Sequence, residues 1–220
     1  MEFRRKLKMG TIAGAAVLSW FSLVTILAEA TAPAPPPLAA DPGQPAGSMS
    51  DQSLAGWLAA AAPMRGDLLA DVALARAIPT MNVATATASS EARRQSALAL
   101  AKQSLAFAPH ASRTWLLIAM LENGGSSSKE AAEALKMSYL TSSADPSLIP
   151  ARLTVLATSA SVDDAELANF ARGDMRLILT HRPDLKGAIV GAYDRGSPKG
   201  RALLQDIART LDPGFAATLR

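Results

Sequence analysis

Apolar residues fall into three regimes along this chain. From Met9 to Ala28 they form one long run without a charge. Over residues 31–50 that run gives way to Pro33, Pro35, Pro36, Pro37, Pro42 and Pro45, with Gly43 and Gly47. Proline locks φ and lacks a donor, and glycine adds freedom, so this stretch reads as a spacer and not a packed element. From Asp51 onward Ala and Leu dominate, β-branched and aromatic residues are scarce, and Gly and Pro fall between runs. The spacing predicts helices near 51–61, 66–78, 90–107, 112–123, 128–141, 146–159, 163–181, 184–194 and 198–211, closed by a short C-terminal turn. Several carry start signals: Ser112 ahead of Trp115, Ser128 ahead of Glu130 and Glu133, Asp145 as a cap before Pro146, and Ser161 with Asp163 and Asp164. The one strand-like alternation, 83–87, is short, Ala-rich and isolated, and reads as loop. The expected fold is all-α.

Arg4, Arg5, Lys6 and Lys8 stand ahead of the apolar run. Such a basic cluster stays on the cytoplasmic side, so everything after the run is expected outside the cytoplasm. A membrane span needs ~20 residues, while a signal-peptide core has ~7–15. The length favours an uncut, single-pass anchor spanning 9–28. Ala28-Glu29-Ala30 keeps a second version open, in which residues 1–30 are a signal peptide cut after Ala30 and the rest is soluble. The Ala-rich, Lys-poor composition fits a high-GC bacterium, which makes the compartment the periplasm and the membrane the inner membrane.

Charge narrows the partner classes. The net charge of +3 resides in the four basic residues and Glu2 at the N-terminus, and the rest of the chain balances. A nucleic-acid reader needs surplus Lys and Arg on one face, so no nucleic-acid partner is expected. Cysteine is absent, which excludes disulfides, thiolate metal sites and thiol catalysis. Residues 51–220 are long enough to hold one domain by core packing alone.

Residues 90–141 carry a spaced set of small and large residues. One helix offers Trp115, Ile118 and Ala119, the next Ala131, Leu135 and Ser138, and the preceding one Ala97, Ala101 and Ser104, followed by Pro109. The set resembles the tetratricopeptide repeat, a helical hairpin that recurs every ~34 residues, and the step from Ala97 to Ala131 matches that period. Glu122 stands where the family has a tyrosine, and Ala101 where it has a large residue. After Pro146 the register breaks, because Arg152 and Leu153 fall where an apolar and a small residue belong. The resemblance implies antiparallel helical hairpins stacked in a row, with Trp115 and Leu135 filling the space between them. It also implies that Arg113, Leu116, Met120 and Asn123 line a concave, partner-binding face.

No catalytic, cofactor-binding or metal-binding set emerges. His110 and His181 are far apart in sequence and read as surface or structural residues. Ser126-Ser127-Ser128-Lys129 satisfies the Ser-x-x-Lys nucleophile pattern, but its partner motifs are missing and it follows Gly124-Gly125, so it reads as a linker and helix cap. Asp163, Asp164 and Glu166 lack the spacing of a calcium loop and read as helix capping. Trp57, Phe107, Trp115 and Phe170 read as core. Arg172, Arg176, Arg182, Lys186, Arg195, Lys199 and Arg201 alternate with Asp174, Asp184, Asp194 and Asp206, which reads as a solvated mixed face. The expectation is a non-enzymatic, membrane-tethered scaffold that holds a protein partner in the envelope. The alternative is an accessory of envelope polysaccharide synthesis or export, although an aromatic content of 5% supplies few rings for a sugar site.

Overall fold

The computed structural model describes residues 2–31, 65–81, 87–123, 128–143 and 145–219. The helix expected near 51–61 with Trp57, the spacer beyond Thr31, the alternation at 83–86, and Ser126-Ser127 lie outside these residues. Every regular element among the described residues is helical. The first helix, α1, runs Glu2–Thr31. Its apolar segment Met9–Leu27 has 19 residues, about 28 Å of helix against the ~30 Å of a hydrocarbon core. Ile12, Val17, Leu18 and Ile26 on it are exposed. By length and composition it suffices to cross a membrane or to serve as a signal sequence.

The remaining helices are α2 (Gly66–Met81), α3 (Ala88–Phe107), α4 (Ser112–Asn123), α5 (Ser128–Thr141), α6 (Ile149–Thr158), α7 (Ala165–His181), α8 (Lys186–Arg195), α9 (Pro198–Leu211) and α10 (Pro213–Ala216). Their starts follow from local chemistry. Thr87 caps α3 reciprocally with Ser90, moving the start ahead of the expected residue 90. Asp164 caps α7 by accepting from the Glu166 and Leu167 amides. Ser197 and Asp212, each before a proline at the first helical position, cap α9 and α10.

One expected start is corrected. Asp145 accepts from the Ser147 amide and hydroxyl, which makes a turn, and α6 begins only at Ile149. A helix starting at Pro146 would carry Pro150 in its second turn, where the missing N–H and the ring clash are costly. Starting at Ile149 moves Pro150 into the first turn, where no N–H is needed. A second difference is that α2 continues past Ile78 to Met81, with Pro79 inside its last turn.

Residues from α2 to the C-terminal Leu219 share one apolar core. α2 and α3 form a packed antiparallel pair. Gly66, at the start of α2, lies so near the end of α3 that a Cβ there would stand 2.7 Å from the Ser104 carbonyl oxygen. Arg76 Nη1 donates to Ser96 Oγ at 2.8 Å farther along. α4 and α5 form the second packed pair, α6 packs against α4, α8 and α9, and α5 packs against α7. A buried triplet at i, i+4, i+7 recurs on alternate helices: Ala97, Ala101 and Ser104 on α3; Ala131, Leu135 and Ser138 on α5; Leu167, Ala171 and Asp174 on α7; Gly200, Leu204 and Ile207 on α9. At Gly200 the contact is so close that a Cβ would meet the Ala157 carbonyl of α6.

Burial also continues past Pro146, where the sequence register breaks. Ile149, Arg152 and Leu153 are each 0% exposed, in the places that Trp115, Ile118 and Ala119 occupy one helix pair earlier. Among the rings read as core, Trp115 and Phe170 pack against it, whereas Phe107, on the last residue of α3, is 45% exposed.

Candidate functional site: a polar-lined groove

The ends of α2, α4 and α6 and the start of α3 enclose an open groove of about 340 Å³. Met81, Met120 and Val155 supply its apolar surface, and Thr80, Ser90, Asn123, Thr154 and Thr158 its hydroxyls and amide. One edge is built by a charge pair on α3. Arg94 donates from Nε and Nη2 to the two Glu91 carboxylate oxygens at 2.8 and 2.6 Å. Its Nη1 donates to the Leu121 carbonyl at 2.7 Å, closing an open carbonyl at the end of α4. Arg94 and then the Gln95 amide hold the Glu91 carboxyl down to about 2.

The opposite edge is a polar stripe crossing three helices. Asn123 Nδ2 donates to Thr158 Oγ1 at 2.9 Å, and Thr158 Oγ1 donates to the Thr154 carbonyl at 2.8 Å. Arg195 Nη2, from the end of α8, donates to Thr154 Oγ1 at 3.2 Å. These bonds link α4, α6 and α8 through side chains that remain at the surface.

The four residues expected on the partner-binding face separate. Met120 and Asn123 line the groove, half-buried. Leu116 is 0% exposed and belongs to the core, because α4 is covered by its packing partners one turn before Met120. Arg113 lies nearer the start of α4, in a separate small crevice with Asp71. Burial pushes Asp71 up while Arg113 pulls it back, and burial lowers Arg113. The sequence reading missed Glu91 and Arg94, since it sought the face on α4 alone. It also missed Thr154 and Thr158 because it stopped the repeat at Pro146. A signal for Thr154 was present, since it follows Met120 by one repeat length.

A second polar cluster lies in the core. Tyr139 donates to Asp174 Oδ2 at 2.9 Å, and the Tyr139 ring stacks on Phe170 with centroids 4.7 Å apart. The Arg152 guanidinium lies 4.5 Å from the Tyr139 ring centroid on another side. Arg152 also donates to Ser138 Oγ at 3.1 Å, to the Ser138 carbonyl and to the Ser142 carbonyl at 2.8 Å. Burial pushes Asp174 up to about 6, although Tyr139 and Arg152 pull it down. Burial lowers Arg152 and raises Tyr139 well above the usual phenol range.

The other sequence candidates have defined places. Asp164 and Glu166 pair with Lys136 Nζ at 2.7 and 2.9 Å, and Asp163 pairs with Lys199 Nζ at 2.6 Å. His110 lies exposed in the turn after α3, and His181 is exposed at the end of α7. Among the described residues no three His, Asp or Glu side chains come together as a metal set. No protein-family model, curated protein or solved structure matches the chain.

Proposed function

We propose that this protein is a membrane-tethered helical repeat module, working outside the cytoplasm, that holds a protein partner in its groove. The observation carrying this reading is the groove itself. It joins two adaptable methionines to a braced hydroxyl and amide stripe, and its described lining supplies no nucleophile–base pair. The repeat part of the proposal draws on the four buried triplets. Their first members, Ala97, Ala131, Leu167 and Gly200, recur at close to the ~34-residue period of a tetratricopeptide hairpin. Such regular burial fits hairpins of that kind stacked in a row. The tether is α1 with its apolar Met9–Leu27 segment, and the basic residues ahead of it favour the far side of the membrane for the domain. A role beside polysaccharide machinery draws no support from the groove, which has no aromatic ring among its described lining residues.

The test is cross-linking in the native membrane, pull-down through a C-terminal tag, and mass spectrometry of both the partner and the bait's N-terminus. A defined protein partner, lost in Met120→Glu while that variant melts like the wild type, is the expected result. Capture unchanged by Met120→Glu would remove the groove from the proposal. A new N-terminus at Thr31 would remove the tether.

A further inference from the structure

We propose that the edge of the groove where α8 meets Thr154 reads acidic side chains of an extended partner segment, through a pre-positioned Arg195. The inference rests on the groove being the partner site. Arg195 folds back along its own helix over Gly191, where an added Cβ would stand 3.3 Å from Nη2. It is then braced by Thr154 Oγ1, whose own proton goes to the Pro150 carbonyl at 2.9 Å, leaving a lone pair for the guanidinium. Arg201 is held in a similar way. Its Nε donates to the Tyr193 carbonyl at 3.1 Å and its Nη2 to the Asp194 carbonyl at 2.8 Å, with the guanidinium 6.0 Å from the Tyr193 ring centroid.

Every one of these partners is neutral. Among the described residues neither arginine forms an ion pair, and this includes the adjacent exposed Asp194. Other surface cations do pair: Arg94 with Glu91, Arg182 with Asp184 and Lys199 with Asp163. The groove therefore has one edge whose charge is internally balanced, and at the other Arg195, bonded to the lining residue Thr154, offers an oriented, exposed guanidinium group without a carboxylate. A guanidinium fork matches carboxylate geometry, and a basic segment here would meet uncompensated like charge. The complementary partner is an extended segment with Asp or Glu toward α8 and an apolar side chain toward Met81 and Met120. Asn123, Thr154 and Thr158 lie between the two ends.

The test uses the full chain in detergent micelles to select binders from a random peptide library. Their affinities are then measured by fluorescence anisotropy at low and at physiological salt. Acid-rich binders are expected, lost in Met120→Glu and weakened about tenfold or more in Arg195→Glu, with the loss largest at low salt and partly restored in Arg195→Lys. Thermal melts monitored by circular dichroism show whether each variant keeps its fold, and all three substitutions are at half-buried or exposed positions. Binders that respond to Met120→Glu but not to Arg195→Glu would overturn the acidic reading and leave the groove. Binders indifferent to Met120→Glu, or a selection that yields none, would overturn both.

Discussion

Two arginine–carboxylate clusters in this molecule have opposite electrostatics. At the groove edge Arg94 chelates Glu91, which stays at the surface and is held down to about 2. In the core, Arg152 and Asp174 share Tyr139, and the carboxyl is pushed up to about 6. Both sets contain an arginine, an acid and a neutral hydrogen-bond donor. They differ in access to water. At the surface the charged forms stay hydrated and their attraction lowers the acid's pKa; in the core, desolvation outweighs the attraction and raises it. The groove pair can present charge to a partner at little cost. The core cluster ties α5, α6 and α7 together in one arrangement.

The largest effect should come from removing the buried arginine. Arg152→Ala leaves Asp174 without its cation, frees the Ser138 and Ser142 carbonyls, and opens a cavity at a fully buried position. Removing a buried, hydrogen-bonded cation in this way costs about 3–5 kcal/mol. Urea unfolding of the full chain in detergent measures it. Arg152→Met keeps much of the volume without the charge and should lose clearly less. Equal losses in the two variants would show that the lost charge and hydrogen bonds, and not the cavity, set the cost at this position.

The next effect separates the clusters by pH. The folded-state pKa of Asp174 is raised above the ordinary 3.8, so the folded protein binds the extra proton between about 4 and about 6. Its contribution is fully present below about 4 and is lost as pH rises through about 6, roughly 2–3 kcal/mol across that window. Glu91 acts in the opposite sense. Its folded pKa is depressed to about 2, so its contribution is present above the ordinary carboxylate range and lost as pH falls toward 2. The expected profile rises from neutral pH toward the mid-acid range and falls again in stronger acid. Asp174→Asn should flatten the first limb and leave the second. A melting temperature that does not rise between pH 7 and pH 5 in the wild type would contradict the assignment of Asp174.

The same contrast explains what could be read from the sequence. Helices α2 to α9 were legible because Ala and Leu runs are punctuated by Gly and Pro, and because a cap such as Asp164 works locally. The core cluster was not legible. Arg152 occupies an apolar position, so its identity broke the pattern just where the structure continues it, and only Ser138, Tyr139 and Asp174 from two other helices make that burial tolerable. The groove was half legible. Met120 and Asn123 follow from one helix face, but Leu116 on that face is covered by neighbouring helices. Glu91 and Arg94 come from a different helix, which the reading of that one face does not reach. The start of α6 was misplaced for a local reason, because Asp145-Pro146 is a good cap signal until Pro150, one turn later, is counted.

The smallest effect is expected at the groove edge, and it sharpens the contrast most directly. Glu91→Gln removes the charge but keeps a hydrogen-bond acceptor for Arg94, whose third bond to the Leu121 carbonyl is untouched. Because Glu91 is exposed, its ion pair is screened by water and contributes little to folding. The melting temperature at neutral pH should therefore fall only slightly, and the loss in strong acid should become only slightly shallower. Binding should change more than stability. The balanced end of the groove becomes cationic like the α8 end, so an acid-rich peptide should bind more tightly and with a steeper salt dependence. If Glu91→Gln lowered the melting temperature as much as Arg152→Met does, the surface pair would be structural, and water access would no longer distinguish the two clusters.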